Sequence, residues 1–294
     1  MRKLYNLGSL NIDYVYQVPH FLHPGETLSA KERNIFPGGK GLNQSVAAAR
    51  AGAAVVHGAM ASYEARFLLD LLSDSGVDTK KIRLIDQPAG HTIIQVDPSG
   101  QNCILLFAGT NHSLTKEYVE EFLSDANPGD ILLLQNETNC LKEALQLAAI
   151  KKMEVALNPS PFDASLSDLP LSMVKWWFCN EIEAKALFGS DNPSTIAQTF
   201  CSTYPYSCLI LTLGEQGSMY ISCAETITQP IFKVKTVDTT AAGDTFTGYF
   251  LSSIIAGYTC KEAMCRAAKA SAIAVSREGA AVSVPYEKEL SKWK

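Results

Sequence analysis

The sequence predicts an α/β chain: a doubly wound, mostly parallel sheet with helices on both faces, plus a small β-sheet lid. Two patterns predict it. From about residue 114 onward, short continuous apolar runs alternate with amphipathic segments of helical period, as expected of parallel strands buried between helix layers. Before that point, short alternating segments and one strong turn signal collect in the first third, as expected of a half-exposed sheet. A length of 294 residues suits one large α/β domain spanning 1–294 with a small appendage, and no low-complexity tract, linker or repeat divides it.

The elements follow in order. Residues 3–9 read as a first strand, and 12–18 (IDYVYQV) and 29–36 as half-exposed ones. An Ala-rich helix covers 46–51. Segments 91–96 and 101–107 flank Asp97-Pro98-Ser99-Gly100, where Pro presets one dihedral and Gly relieves the next. The discontinuous lid is therefore expected from about 12–36 and 91–107. The alternating units are helix 114–124 and strand 130–134, helix 139–151 and strand 153–157, strand 174–179 and helix 181–188, then helix 194–203 and strand 208–213. Helices near 243–256 and 260–276 close the chain, the second with a capping box of Thr259 and Glu262. In open sheets of this kind, ligands bind outside the carboxyl ends of the strands.

Composition narrows the function classes. A hydrophobic fraction of 47% with 19% charged residues is that of a globular protein. The net charge of -5, without a basic run, gives no electrostatic case for nucleic acid or an anionic membrane. An anionic ligand stays open, because helix N-termini bind phosphate without a net positive protein. The amino end reads as a strand and not as a signal peptide, and no apolar run approaches the ~20 residues of a membrane helix. The eight cysteines contain no C-x-x-C pair and are expected to be reduced, mostly buried thiols of a cytoplasmic protein. His20 and His23, in a Pro-flanked segment with no supporting carboxylate cluster, are expected in a solvated loop.

The motif with the most chemistry is Asp238-Thr239-Thr240-Ala241-Ala242-Gly243-Asp244 before an apolar helix. Small residues bring the backbone amides of Ala241, Ala242 and Gly243 close to a ligand, and a helix start adds free N–H groups and a positive dipole end. That combination makes an anion hole for a transferring phosphoryl group, and Asp244 beside it can take a proton from an attacking hydroxyl. A helix N-terminus with ordinary caps fits the heptapeptide equally well.

Other motifs are weaker singly. Pro37-Gly38-Gly39-Lys40-Gly41-Leu42-Asn43 lets a backbone approach a ligand while Lys40 and Asn43 offer donors, but it lacks the spacing of a phosphate loop. Asn180 and Glu183 fit a capping box, or place Glu183 toward a hydrated Mg²⁺. Thr212, Gly214 and Gly217 make either a hairpin turn or a shelf for a nucleotide. Asn11 and Asp13 share one face of a strand and could grip vicinal hydroxyls. Glu137 stands just past an apolar strand in a similar position.

In order, N-x-D, G-G-K-G-x-N, N-x-x-E, T-x-G and D-T-x-x-G-D resemble the PfkB carbohydrate kinases, most closely the ribokinase branch. Leu157-Asn158-Pro159-Ser160-Pro161 and Ala274-Val275-Ser276-Arg277-Glu278-Gly279-Ala280 extend the likeness over the whole chain. The resemblance implies that Asp244 is the catalytic base and that Ala241, Ala242 and Gly243 supply the anion-hole amides. It implies that Asn11, Asp13, Gly39, Lys40, Asn43 and Glu137 contact the sugar, while Asn180, Glu183, Thr212, Gly214 and Gly217 serve ATP and its Mg²⁺, Glu183 through water. It further implies a K⁺ site from oxygens of Asp238, Thr240, Ala274, Arg277, Gly279 and Ser283, and a homodimer through the lid. Two departures stand out. Residues 58–64 lack the second Gly and the Asp of the family's G-x-x-G-x-D turn, and Ala268 and Lys269 stand where an Asn or His is often near adenine.

The expected activity is thus ATP-dependent phosphorylation of a primary hydroxyl of a small sugar, with ribose favoured through Lys40. Alternatives are a sister kinase for fructose, a keto-deoxy acid or a nucleoside, and a non-catalytic sugar sensor, against which the intact Asp244 argues. A dinucleotide-dependent oxidoreductase would need G-x-G-x-x-G after the first strand, and Gly8 stands without it.

Overall fold

The protein is described from a computed structural model, over residues 2–293; Met1 and Lys294, the ends of the expected 1–294 domain, lie outside the described residues. The strands are β1 (Leu4–Leu7), β2 (Asn11–Gln17), β3 (Glu32–Gly38), β4 (Val55–Gly58), β5 (Met60–Ser62), β6 (Arg83–Ile85), β7 (Gly90–Val96), β8 (Asn102–Phe107), β9 (Ile131–Gln135), β10 (Glu154–Asn158), β11 (Trp176–Asn180), β12 (Cys208–Thr212), β13 (Ser218–Ile221) and β14 (Thr226–Gln229). The helices are α1 (Lys40–Arg50), α2 (Arg66–Asp74), α3 (Lys116–Phe122), α4 (Leu141–Ile150), α5 (Glu181–Phe188), α6 (Pro193–Thr203), α7 (Ala242–Ile255), α8 (Cys260–Val275) and α9 (Glu287–Leu290).

Eight strands form one sheet in the order β14-β13-β12-β11-β10-β9-β1-β4, parallel from β12 to β4 and antiparallel through β13 and β14. The continuous apolar strands follow from burial on both faces. In β9, Ile131 and Leu133 pack with α1, α2, α7 and α8, whereas Leu132 and Leu134 pack with α3, α4 and α6. The chain leaves β1 toward β4 on one side and returns as β9 on the other. The strand order therefore reverses between β1 and β9, which opens a crevice at their carboxyl ends. A second sheet, β3-β2-β7-β8, is the lid.

Several expectations need correcting at their edges. The strand expected at 29–36 is Glu32–Gly38, so Pro37 and Gly38 end an edge strand, where a missing N–H is tolerated. The helix expected at 46–51 begins at Lys40. Strands β4, β5 and β6, helix α2 and the hairpin β13–β14 had no counterpart in the sequence reading. They are short, and α2 starts without a side-chain cap, so no local signal announces it. The altered stretch 58–64 forms β5 and a single 3₁₀ turn, and Glu64 Oε1 accepts the Ala89 N–H at 3.0 Å beside the lid.

The cysteines are free, but only Cys179 and Cys208 are buried; Cys103 and Cys223 are exposed, because Cys103 sits on the open strand β8 and Cys223 in a hairpin turn. His20 and His23 do lie in an exposed loop, yet a carboxylate joins them: His20 Nε2 is 2.8 Å from Glu26 Oε1. Among the described residues no helix is long and apolar enough to cross a membrane.

Candidate active site

Asp244 stands in the first turn of α7, 8% exposed, and both its oxygens are engaged. Asn43 Nδ2 donates to Oδ2 at 2.9 Å and Gln44 Nε2 donates to Oδ1 at 2.8 Å, both from α1. The packing of α1 against α7 is thus fastened at the very residue expected to act as base. Ahead of α7, Ala241 adopts φ 60°, a left-handed conformation that costs a residue with a β-carbon on the order of 1 kcal/mol. It turns the loop so that the amides of 241–243 open the helix, where first-turn N–H groups have no intrahelical partner. Ser271 Oγ donates to the Ala242 carbonyl at 2.9 Å and Thr247 Oγ1 to that of Gly243 at 2.9 Å, which holds this helix start in place.

On the lid side, Asn11 and Asp13 lie on one face of β2, as their spacing predicts. Thr92 Oγ1 donates to Asp13 Oδ1 at 2.6 Å. A β-carbon built on Gly38 would stand 2.0 Å from Asp13 Oδ2, so the glycine makes room for the carboxylate. Burial, with Glu137 nearby, pushes the Asp13 carboxyl up to about 6, against the opposing pull of Thr92 and Lys40. Asn11 is oriented by Asn111, whose Nδ2 donates to Asn11 Oδ1 at 2.7 Å while its Oδ1 accepts the Leu10 N–H at 2.9 Å.

Gly39 precedes α1 with φ 94°, and Lys40 is its first residue. The Lys40 N–H donates to Glu137 Oε2 at 2.9 Å, and Ser9 Oγ donates to the same oxygen. Burial alone would lower the Lys40 ammonium, but the carboxylates of Asp244, Glu137, Glu183 and Asp13 outweigh it and hold it above the usual lysine range. One ammonium therefore stands in the field of four carboxylates.

The residues expected to serve the nucleotide gather at the carboxyl ends of β11 and β12. Asn180 and Glu183 form a full capping box: Asn180 Oδ1 accepts the Glu183 N–H at 2.8 Å and Glu183 Oε2 accepts the Asn180 N–H at 2.9 Å. Glu183 nonetheless lines a cleft of about 200 Å³ with Lys40, Asn158, Thr212, Thr239, Asp244 and the 241–243 loop. Thr212, Gly214 and Gly217 belong to the β12–β13 hairpin, and they also line an adjoining cleft of about 710 Å³. Its apolar wall includes Ile231, Phe232, Val234, Phe246 and Ala268. Lys269 instead lies over the Phe232 ring, 5.4 Å from its centroid. The 242–243 backbone borders both clefts.

The six residues expected around K⁺ come from the loop before α7 and from the last turn of α8 with the loop after it, which meet. Asp238 Oδ1 accepts the Thr240 N–H at 2.8 Å and Oδ2 the Gly279 N–H at 3.0 Å. The Arg277 N–H donates to the Ala274 carbonyl at 3.0 Å, and Ser283 Oγ to that of Ala280 at 2.8 Å. The Arg277 guanidinium is directed to Glu289 at 2.6 Å, so only its backbone is open to a cation.

Several participants escaped the sequence reading. Gln44 touches Asp244 directly, Asn111 orients Asn11, and Ser9 joins Glu137. Gln44 had a usable signal, being a polar residue beside Asn43 in an otherwise small-residue helix. Asn111 had none.

A buried carboxylate at a helix start, a backbone turn of small residues beside it and two adjoining clefts suit a small-molecule kinase, and the chain belongs to the pfkB family of carbohydrate kinases, whose profile matches residues 1–287. Within that family the similar proteins include several ribokinases and a deoxyribokinase of Salmonella typhi, 27% identical over 300 residues. The ribokinase of Haemophilus influenzae is 36% identical over 299 residues, covering 98% of this chain and 97% of its own. Among solved structures, the ribokinase of Cryptococcus neoformans in complex with ADP is 30% identical with a TM-score of 0.86, covering 99% of both chains. That of Arabidopsis thaliana, complexed with ribose and ATP, is 27% identical with a TM-score of 0.88, covering 99% of this chain and 98% of its own.

Proposed function

We propose that this protein transfers the γ-phosphoryl group of ATP to the primary hydroxyl of ribose, yielding ribose 5-phosphate and ADP. The observation that carries this reading is the position of Asp244: a carboxylate held by two amides, next to the 241–243 amides, at the junction of the sugar-side residues and the nucleotide cleft. Similarity to ribokinases, one of them complexed with ribose and ATP, supports ribose over other sugars.

In this reading Asn11, Asp13, Gly39, Lys40, Asn43 and Glu137 hold the sugar. Asn43 suits the task, because its Oδ1 is buried without a partner and can accept a hydroxyl. Asp244 takes the hydroxyl proton as the oxygen bonds to the γ-phosphorus, and the bond to the bridging oxygen of ADP breaks in line. The amides of 241–243 receive the charge that develops on the phosphoryl oxygens. Asn180, Thr212, Gly214 and Gly217 seat the nucleotide along the larger cleft.

The donors fit two cations. The smaller cleft offers carboxylate and hydroxyl oxygens at Glu183, Thr212 and Thr239, a hard oxygen set suited to hydrated Mg²⁺. Glu183 would reach it through water, since its oxygens cap α5. Asp238, Thr240, Ala274, Arg277, Gly279 and Ser283 offer carboxylate, hydroxyl and carbonyl oxygens suited to K⁺. The chemistry both supply when bound is positive charge near the phosphate oxygens.

The lid face opposite Asp13 exposes Ile35, Ile93, Leu105 and Phe107, and Leu105 is 66% exposed. That surface supports a homodimer through the lid. Free cysteines and ATP dependence support a cytoplasmic location.

The test is ADP release from Mg-ATP with K⁺ present, across ribose, deoxyribose, fructose, keto-deoxy acids and nucleosides. Ribose-dependent turnover well above the rest supports the reading. Turnover on another compound alone moves the specificity, and none with any compound removes the kinase activity.

A further inference from the structure

Behind Asp244 runs a line of buried side-chain amides that the proposed chemistry leaves unused. Gln44, which donates to Asp244 Oδ1, accepts at its own Oε1 from Gln135 Nε2 at 2.8 Å. Gln135 Nε2 also donates to Asn6 Oδ1 at 3.0 Å. Asn6 Nδ2 in turn donates to the Gly41 carbonyl and to Ser45 Oγ, both at 2.8 Å. Asn6, Gln44 and Gln135 are fully buried and come from β1, α1 and β9, where strands β1 and β9 flank the switch point.

The two ends of this line dictate its sense. The Asp244 carboxylate only accepts, so Gln44 must present its NH₂ group to it, which leaves Gln44 Oε1 facing Gln135. The Gly41 carbonyl also only accepts, so Asn6 must present its NH₂ group there, which leaves Asn6 Oδ1 facing Gln135 as well. Gln135 therefore stands between two amide oxygens and satisfies each with one N–H. Its own Oε1 makes no hydrogen bond, so donation is what the position uses.

We propose that Gln135 is a positioning residue for phosphoryl transfer: by donating to Gln44 Oε1 it locks the Gln44 amide with its N–H toward Asp244, keeping the carboxylate aimed. This rests on Asp244 being the base. Were Gln44 inverted, its oxygen would face the carboxylate, a repulsion that favours the protonated, inactive acid. A carboxylate at position 135 would impose that inversion, because it presents oxygens where two donors are needed.

The experiment compares Gln135→Glu, Gln135→Met and Gln44→Met with the parent enzyme and with Asp244→Asn, by kcat, sugar KM, melting temperature and the pH profile of kcat/KM. Expected for Gln135→Glu are a kcat lowered about 10- to 100-fold at neutral pH, the scale of one hydrogen bond to a charged group, and little change in sugar KM. The acid limb of its profile should move up by on the order of one pH unit. Gln135→Met, neutral and of similar length, should lose less and shift the limb less. Gln44→Met should lower kcat on the same scale and carries the test if a substitution at 135 does not fold. Lys40, with Glu137, Glu183 and Asp13 around it, is common to all variants, so a moved limb reports the amides. Equal losses in both 135 variants with an unmoved limb, or parental kcat in folded variants, overturn the proposal while Asp244→Asn stays inactive. An active Asp244→Asn would instead remove the base assignment beneath it.

Discussion

Gly38 and Asp13 occupy one space: a β-carbon on Gly38 would fall 2.0 Å from Asp13 Oδ2, across paired strands of the lid. No flexible tip can yield there, since the carboxyl carbon itself would be 2.2 Å away. Gly38→Ala must therefore move Asp13 off its Thr92 partner. The expected outcome is a sugar KM raised about 10- to 100-fold, the loss of a hydrogen bond involving a charged group, with ADP affinity unchanged. Steady-state kinetics beside calorimetric titration with ADP checks the split.

In the proposed sugar site, Asp13 should also make binding pH-dependent. Its carboxyl, pushed up to about 6 by burial, protonates as pH falls through that value and loses an acceptor for sugar hydroxyls. Sugar KM should rise below pH 6, and Asp13→Asn should abolish that dependence. The effect on stability has the opposite sign. A carboxyl raised from 3.8 favours the folded state below 3.8, and that contribution is lost as pH rises through about 6. Sugar-free Asp13→Asn should therefore be more stable than the parent at pH 8, by on the order of 1–3 kcal/mol, and gain less at pH 4. Melting curves at the two pH values decide it.

Asp244→Asn keeps the shape at the start of α7 but removes the base. Turnover should drop on the order of 10²–10⁴, the usual weight of a general base, while ADP still binds. Turnover within a few-fold of the parent would take Asp244 out of this role.

Asp238 ties the anion-hole loop to the C-terminal loop through Thr240 and Gly279. The parent should turn over several-fold faster in KCl than in NaCl at equal ionic strength, and Asp238→Ala should lose that difference. Rates in the two salts provide the readout, and a parent indifferent to the cation would exclude the site.

Leu105, on the open strand β8, lies in the apolar lid surface. Leu105→Asp should convert a dimer to a monomer at micromolar concentration, because a buried unpaired carboxylate costs far more than the lost apolar contact. Sedimentation equilibrium distinguishes the two, and a monomeric parent would discard the lid interface.

What was legible in the sequence and what was not divide along one physical line. The heptapeptide from Asp238 to Asp244, the capping boxes at Asn180 and Thr259 and the shared face of Asn11 and Asp13 were legible, because each depends on backbone geometry within a few consecutive residues. Apolar runs such as 131–134 also announced a sheet buried on both faces. Helix α2, the β13–β14 hairpin and the start of α1 at Lys40 were missed, since tertiary packing and not local caps sets them.

The sequence by itself determined the class of fold, the helix start that carries Asp244, and the order of motifs that marks the family. Only the tertiary structure decided what surrounds that base. Asn6, Gln44 and Gln135 meet because β1, α1 and β9 converge at the point where the strand order reverses, and positions 129 residues apart along the chain come to share one hydrogen bond. An amide's local sequence cannot reveal which way it must face; the fixed acceptors at Gly41 and Asp244, brought together only by folding, impose that direction.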